Sequence, residues 1–221
     1  MLDFGFYNMD CMEGLKEFPD KYFELAVVDP PYGNASGGGT KRHVTNGLRK
    51  GDSPPNWWNL GGEVRKKITA WDVAPGQNYF EELFRVSRNQ IIWGGNYFWL
   101  PPTRCFLIWR KINVPEKFSM SMAEYAWTSF DKNAKVFDFS AVGQEGRFHP
   151  TQKPVELYKW ILSNYADKGD KILDTHVGSA SSLIACYELG FDYVGFEIDE
   201  AYYKLASERL ERAKDQIVWR L

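Results

Sequence analysis

Apolar positions along this chain recur with two different periods. Short runs rich in β-branched and aromatic residues predict strands at 4–8, 25–28, 90–93, 105–109, 171–173 and 193–196. Helical spacing of apolar residues predicts helices within 79–86, 157–165, 183–187 and 202–213. Strands and helices of these lengths alternate in the last third, which is typical of a parallel sheet in an α/β fold.

Two stretches interrupt this alternation. Residues 125–130 and 135–139 flank a polar Asp131-Lys132-Asn133 turn, and this pattern predicts an antiparallel hairpin. Residues 34–76 contain glycine runs, adjacent prolines and adjacent tryptophans, without a sustained period of 2 or 3.6. Long irregular loops in compact domains are usually functional or disordered. We therefore predict one domain over residues 1–221, with an inserted loop region at 34–76.

The composition is that of a globular protein with a single core. The chain has 221 residues, of which 44% are hydrophobic. Cys11, Cys105 and Cys186 are widely spaced and form no CxxC pair, so the sequence indicates neither a disulfide framework nor a metal site. No leader pattern precedes the domain, and no apolar run approaches the ~20 residues that cross a bilayer. We expect a cytoplasmic protein without membrane association.

The charge is unevenly distributed. The net charge is -2, but residues 34–70 carry seven lysines and arginines against two acids, a local balance of 7 - 2 = +5. A basic segment in a nearly neutral chain can dock a polyanion on one face. The alternative is a solvated loop whose charges only keep it soluble.

Four predicted strands end at an acidic residue. These acids are Asp10, Asp29, Asp174 and Glu197. The carboxyl ends of parallel strands lie along one edge of a sheet, and ligands of α/β proteins bind in the crevice there. If the sheet is parallel, the four acids converge on one site.

The strand ending at Asp29 continues as Pro30, Pro31, Tyr32 and Gly33. Prolines have a fixed φ and no N–H, so the backbone is stiff and aims the Asp29 carboxylate and the Pro30 carbonyl at one point. Tyr32 adds a flat π-face beside these acceptors. Acceptors next to a stacking face suit a planar heterocycle that bears an amino group. The alternative is a strand end that Tyr32 merely covers.

A second pair of features indicates an adenosine-containing cofactor. Glu197 follows Gly178 by nineteen residues, close to the spacing at which a Rossmann-type acid accepts from ribose hydroxyls. The loop reads Gly178-Ser179-Ala180-Ser181 and lacks the glycine series that lets a backbone approach a pyrophosphate. S-adenosylmethionine therefore fits better than NAD, and a dinucleotide oxidoreductase is the weakest of the alternatives.

Four motifs carry a resemblance to a known family. Asp-Pro-Pro-Tyr at 29–32, His-Pro-Thr-Gln-Lys-Pro at 149–154, Asp-Thr-His-Val-Gly-Ser at 174–179 and Gly-Phe-Glu-Ile-Asp at 195–199 resemble the β-class, circularly permuted DNA amino-methyltransferases, particularly small phage-type adenine enzymes. The resemblance spans nearly the whole chain. It implies a Rossmann-like methyltransferase fold whose mostly parallel, seven-stranded sheet has one antiparallel strand.

The resemblance also implies roles for individual residues. The catalytic half comes first, with Asp29, Pro30, Pro31 and Tyr32, and the cofactor half comes last. Asp10 would accept from the cofactor's adenine amine, Glu197 would bind its ribose, and the 149–154 stretch and Gly178 loop would hold its methionine end. The implied cofactor residues are Asp10, Cys11, Asp29, His149, Thr151, Lys153, Asp174, His176, Gly178, Ser179 and Glu197. Two places depart from the family pattern: Ala180 replaces a glycine, and Thr175-His176 replaces the commoner Pro-Phe.

The expected activity is methyl transfer from S-adenosylmethionine to the N6 amino group of adenine in DNA by direct in-line attack. Phe98 is a further candidate for the wall of the base pocket. The expected DNA contacts are Arg42, Arg49, Lys50, Trp57 and Lys66. Cytosine-N4 methylation is the nearest alternative, although that subgroup tends to carry serine at the position of Asp29. A non-catalytic DNA-binding module is the other alternative, and a homodimer and a restriction endonuclease partner both stay open.

Overall fold

The computed structural model describes residues 1–33, 73–115, 121–141, 148–149 and 151–218. Most of the predicted insertion, with all five expected DNA contacts, lies outside the described residues. The elements within them, in chain order, are β1 (Gly5–Asn8), α1 (Cys11–Leu15), β2 (Phe23–Val28), α2 (Gln77–Val86), β3 (Ser87–Trp93), β4 (Phe106–Lys111), β5 (Ala123–Thr128), β6 (Lys135–Phe139), α3 (Val155–Tyr165), β7 (Lys171–Asp174), α4 (Ser181–Leu189), β8 (Asp192–Glu197) and α5 (Glu200–Val218).

All of these strands form one sheet in the order β1-β8-β7-β2-β3-β5-β4-β6. The five strands from β1 to β3 are mutually parallel, and β5 runs antiparallel to both of its neighbours. The predicted α/β class, with a mostly parallel sheet and one antiparallel strand, is confirmed. The described sheet has eight strands where seven were expected, and β6 forms its edge beside β4.

The predicted hairpin between β5 and β6 is wrong. β4 lies between the two strands, pairing antiparallel with β5 and parallel with β6. Burial explains the order, because Ala126, Trp127 and Thr128 at the end of β5 are buried and need neighbours on both sides. The residues of β6 are exposed or half-buried, which suits an edge strand.

The core lies on both faces of the central strand β2. Leu25 and Val27 pack into the cluster that includes Leu157 and Ile161 of α3. Ala26 and Val28 face the opposite cluster, which contains residues of α1 and α2. This double burial explains the continuous apolar run in the sequence. It also fixes the end of β2, from which Asp29 projects.

Candidate active site

The four acids predicted to converge lie at the carboxyl ends of four adjacent strands. β1, β8, β7 and β2 are consecutive in the sheet and parallel, so their carboxyl ends share one edge. Asp10 follows β1, Glu197 ends β8, Asp174 ends β7, and Asp29 follows β2. The predicted placement is confirmed.

Asp10 and Glu197 form the outer part of this edge. Asp10 is the N-cap residue of α1, and its Oδ1 accepts a hydrogen bond from the backbone N–H of Met12 at 2.8 Å. Glu197 accepts through Oε2 from the N–H of Gly178 and through Oε1 from the N–H of Asp199, both at 2.9 Å. Burial raises the pKa of Glu197 in spite of these bonds. Backbone N–H groups thus orient both acids, from the first turn of α1 for Asp10 and from adjoining loops for Glu197.

The loop after β7 passes close to the 149–154 stretch. Gly178 has φ of 55°, and a Cβ built on it would lie 3.3 Å from Cε1 of His149. His149 in turn makes a 3.1 Å contact between its Nδ1 and the Thr151 hydroxyl. The structure therefore brings together two segments that the resemblance assigned to the methionine end of the cofactor.

Ala180 adopts a left-handed conformation with φ of 62° immediately before α4. This conformation costs an L-residue roughly 1–2 kcal/mol, whereas glycine adopts it freely. The geometry explains why a glycine is the commoner residue in the family pattern. In this chain the methyl group of Ala180 is buried, and the residue packs against Leu183 and Ile184.

Asp174 is buried where the same loop begins, and His176 within the loop is half-buried. Asp174 accepts from the N–H of His176 at 3.0 Å and from the hydroxyl of Ser182. Burial raises the pKa of Asp174 to about 7 and lowers the pKa of His176 to about 4. The Thr175 hydroxyl contacts both Nδ1 of His176, at 2.9 Å, and the hydroxyl of Tyr79. His176 is therefore a neutral, oriented group at physiological pH.

Side chains hold both carboxylate oxygens of Asp29. The Tyr32 hydroxyl donates to Oδ1 at 2.6 Å, and the ammonium of Lys153 contacts Oδ2. The Tyr32 ring is stacked with that of Tyr97, with centroids 4.9 Å apart, and meets the ring of Phe98 edge-on. Tyr32 thus combines the predicted stacking surface with an unpredicted hydrogen bond to the acid.

The backbone at Gly94 determines where Tyr32 lies. Gly94 has φ of 67°, and a Cβ there would come within 2.1 Å of the Tyr32 ring. Only a residue without a side chain allows this approach. The end of β3 therefore supports the aromatic side chain beside Asp29.

Lys153 and Cys11 are two further residues expected to bind the cofactor, and that role stays a prediction for both. Lys153, expected on the cofactor side, is buried in an ion pair with Asp29 and a second one with Glu124. Cys11 begins α1 beside Asp10, and burial raises the pKa of its thiol to about 12. The Ser179 hydroxyl contacts the hydroxyl of Ser181, the first residue of α4, at 3.1 Å.

Several residues of this region had no signal in the sequence. Glu124 lies in β5 within an unremarkable Ala-Glu-Tyr run, and Lys111 ends β4. Their proximity to Asp29 depends on the order of the strands. Ser182 could have been predicted from the sequence, because a serine in the first turn of the helix after an acid-tipped strand can reach back to that acid. Tyr97 ends the short 3₁₀ helix Gly95–Tyr97 after β3, where no sequence pattern distinguishes it.

The donor set suits a nucleoside better than a metal ion. Within the described part of the chain, no group of three or more His, Cys, Asp or Glu residues could hold a metal. Asp10 and Glu197 instead offer carboxylate acceptors for hydroxyl and amino groups, and the backbone of Gly178 packs closely against the His149 ring. Among the helices that the structure describes, none is long and apolar enough to cross a membrane.

Comparison with known sequences gives a family match and two relatives. The model of the family described as DNA methylase, N6_N4_Mtase, matches residues 108–208. The Type II methyltransferase M.HpaI of Haemophilus parainfluenzae is 23% identical over 91% of this chain and 72% of its own length. The Type II methyltransferase M2.MboI of Moraxella bovis is 25% identical over 94% of this chain and 87% of its own.

Solved structures share the fold. M1.HpyAVI, crystallised as a complex with SAM, superposes with a TM-score of 0.58 at 20% identity, covering 93% of this chain and 98% of that one. The PvuII DNA methyltransferase, described as cytosine-N4-specific, gives 0.58 at 14% identity over 97% of this chain and 91% of its own. TTHA0409 of Thermus thermophilus, described as a putative DNA modification methylase and complexed with S-adenosyl-L-methionine, gives 0.54 at 18% identity, covering 94% and 93%. This chain is therefore similar over residues 108–208 to the DNA methylase family N6_N4_Mtase, over most of its length to two Type II methyltransferases, and in fold to solved DNA methyltransferases.

Proposed function

We propose that this protein transfers the methyl group of S-adenosylmethionine to the N6 amino group of adenine in DNA. The observation that carries this proposal is the Asp29-Pro30-Pro31-Tyr32 segment at the end of β2, on the same sheet edge as Asp10, Asp174 and Glu197. Hydrogen-bond acceptors for an amino group and a stacking ring thus lie next to a group of acids suited to binding a nucleoside.

The chemistry assigned to Asp29 follows from the properties of an exocyclic amine. The lone pair of such a nitrogen is delocalised into the ring, so the amine is a poor nucleophile. The Asp29 carboxylate and the Pro30 carbonyl accept from its two hydrogens and draw electron density back onto nitrogen as it becomes tetrahedral. Tyr32 stacks on the extruded base, whose removal from the duplex costs a few kcal/mol.

Residues of the other three strand ends would hold the cofactor. The complexes of M1.HpyAVI and TTHA0409 with S-adenosylmethionine support this choice, since both have the same fold. Asp10 would accept from the adenine amine and Glu197 from the ribose, while Gly178 and His149 border the methionine end. When bound, the cofactor supplies a sulfonium methyl group that needs no further activation. The chain's part is to align the amine for in-line attack.

The basic residues of the insertion complete the proposal. Arg42, Arg49, Lys50 and Lys66 would contact DNA phosphates, and Trp57 would stack or wedge at the base step. These contacts, the single-domain organisation with its 34–76 insertion and a cytoplasmic location within a restriction-modification setting all belong to the proposal.

Cytosine-N4 methylation is the second candidate, because the PvuII enzyme shares the fold. The decisive experiment incubates the protein with unmethylated DNA and S-adenosylmethionine, digests the DNA to nucleosides and identifies the methylated product by mass spectrometry. We expect N6-methyladenine. N4-methylcytosine as the sole product would establish the second candidate, and DNA binding without any methylated product would indicate a non-catalytic module.

A further inference from the structure

We propose that Glu124 is a positioning residue for Asp29 and acts through Lys153. The role rests on the proposed methyl transfer, in which Asp29 accepts from the target amine. Four side chains carry the inference, and we call them the charge row; its two lysines are buried, whereas Asp29 and Glu124 are 15% and 27% exposed. In order from the candidate active site they are Asp29, Lys153, Glu124 and Lys111.

Lys153 is held on three sides. Its ammonium contacts Oδ2 of Asp29, lies 3.2 Å from Oε2 of Glu124, and stands 5.3 Å from the centre of the Trp93 ring. The Lys153 side chain is only 4% exposed. A buried ammonium requires charged partners, because water cannot solvate it. Asp29 and Glu124 together meet this requirement.

Glu124 is in turn fixed by a second ammonium. Its Oε1 lies 2.6 Å from Nζ of Lys111, whose side chain is 8% exposed. Burial by itself would raise the pKa of Glu124, but the charges of Lys153 and Lys111 outweigh it and hold the pKa below its ordinary value. Glu124 therefore stays ionised, and the four charges alternate in sign from the strand tip to β4.

The charge row serves the reaction because it fixes the orientation of the Asp29 carboxylate and still leaves lone pairs on it to accept from the substrate. A carboxylate that must accept from a developing cation works best when its orientation is set before the substrate arrives. Tyr32 sets Oδ1 and Lys153 sets Oδ2. An ammonium with Asp29 as its sole carboxylate partner would draw Asp29 toward itself and compete with the amine for its lone pairs. Glu124 shares the hydrogen bonds of that ammonium and keeps Lys153 in place.

The experiment compares Glu124→Gln with the wild-type chain. Glutamine keeps the size of the side chain and removes the charge. We expect the single-turnover rate of methyl transfer to fall about 10- to 100-fold, since small displacements of a catalytic group cost this much. The Kd for S-adenosylmethionine and the KM for DNA should change by less than about threefold, as expected when an interaction realised in the transition state is lost.

Asp138→Asn is the matched control. Asp138 pairs with Arg110 across β6 and β4, so this variant also removes an acid from an ion pair of the same sheet, but both side chains are largely exposed. Its methyl-transfer rate should equal that of the wild type.

Four outcomes would overturn the inference. Glu124→Gln that folds and reacts at the wild-type rate would do so, and so would a variant that loses cofactor affinity while keeping its rate, because Lys153 would then serve the cofactor. If Glu124→Gln does not fold, Glu124→Asp, which retains the charge on a shorter side chain, should give an intermediate rate, and a wild-type rate would overturn the role. A wild-type protein that transfers no methyl group would overturn the proposed function and the role of Glu124 with it.

Discussion

The acids at the two parts of the candidate active site are held in different ways. On β1 and β8, Asp10 and Glu197 accept from backbone N–H groups of Met12, Gly178 and Asp199. On β2, Asp29 accepts from side chains, one of which, Lys153, lies 124 residues away in the sequence. A backbone N–H donor is present whatever the side chain, except in proline, whereas the partners of Asp29 depend on particular residues at particular positions.

This difference suggests that the two parts of the site tolerate side-chain substitution to different degrees. Where backbone groups orient an acid, the loop can vary in side chains, as Thr175-His176 and Ala180 do, without losing the orientation. Where side chains orient an acid, a single substitution removes a partner. We therefore expect the β2 end to be sensitive in rate and the β1 and β8 ends to be sensitive in cofactor affinity.

The largest expected effect is on the rate of methyl transfer, which should fall in Asp29→Ala far more than in Glu197→Gln. Asp29→Ala should lower the rate of methyl transfer by about 10²- to 10³-fold, because it removes an acceptor of the target amine. Glu197→Gln should mainly weaken binding of S-adenosylmethionine, by roughly tenfold, because a charged acceptor is lost. Single-turnover rates at saturating cofactor, together with calorimetric Kd values, make the comparison. Unchanged methylation by Asp29→Ala would contradict a catalytic role for Asp29.

Two left-handed glycines allow a matched test. Gly94 approaches the Tyr32 ring, and Gly178 approaches His149. Both alanine variants suffer the same backbone strain of roughly 1–2 kcal/mol. Gly94→Ala should also displace Tyr32 and lower the rate about tenfold or more, whereas Gly178→Ala should raise the Kd for cofactor and leave the saturated rate near that of the wild type. Equal rate losses in the two variants would remove the distinction between the two parts of the site.

A third test uses the opposite titrations of His176 and Asp174. The pKa of His176 is lowered to about 4 from 6.5, so the unfolded chain binds a proton first and the stability that His176 contributes is lost as the pH falls from 6.5 to 4. The pKa of Asp174 is raised to about 7 from 3.8, so the folded chain binds that proton first and stability is gained over much of the same range. The two contributions oppose each other in the wild-type protein.

His176→Gln removes one side of this balance. Relative to the wild type, its free energy of unfolding should increase on acidification from pH 6.5 to 4, by about 1.4 kcal/mol per pH unit. Chemical denaturation at several pH values measures the difference, in which the contributions of all other groups cancel. Parallel profiles for the two proteins would show that His176 is not held neutral in the folded state.

The smallest expected effect belongs to Ala180→Gly. Glycine relieves the left-handed strain, worth roughly 1–2 kcal/mol, but loses a buried methyl group worth about 0.8 kcal/mol. We expect a net stabilisation below about 1 kcal/mol, further reduced by the added freedom of the unfolded chain. Thermal unfolding with and without S-adenosylmethionine would detect it. A clear loss of stability would mean that packing against Leu183 and Ile184 outweighs the strain.

The sequence predicted most of the parallel half of the fold because each element there is defined locally. Short apolar runs ending in an acid, followed by a loop and an amphipathic helix, are visible within about 30 residues, the usual length of a βαβ unit. The adjacency of Asp10, Glu197, Asp174 and Asp29 then followed from the parallel sheet. The predicted β5–β6 hairpin was wrong because a short polar turn indicates which strands follow each other along the chain and not which strands pair.

The sequence by itself thus determined the α/β class, the acid-tipped strands and the rigid Asp29 to Tyr32 segment, since proline stiffness, apolar period and glycine turns are properties of neighbouring residues. The tertiary structure alone decided the order of β3, β5, β4 and β6. That order brings Glu124 and Lys111 to Lys153, and Lys153 to Asp29. The physical reason is that these ion pairs form because their groups are close in space and shielded from water. Lys153 lies 124 residues from Asp29 and 29 from Glu124 along the chain, and such separations do not reveal proximity in the fold.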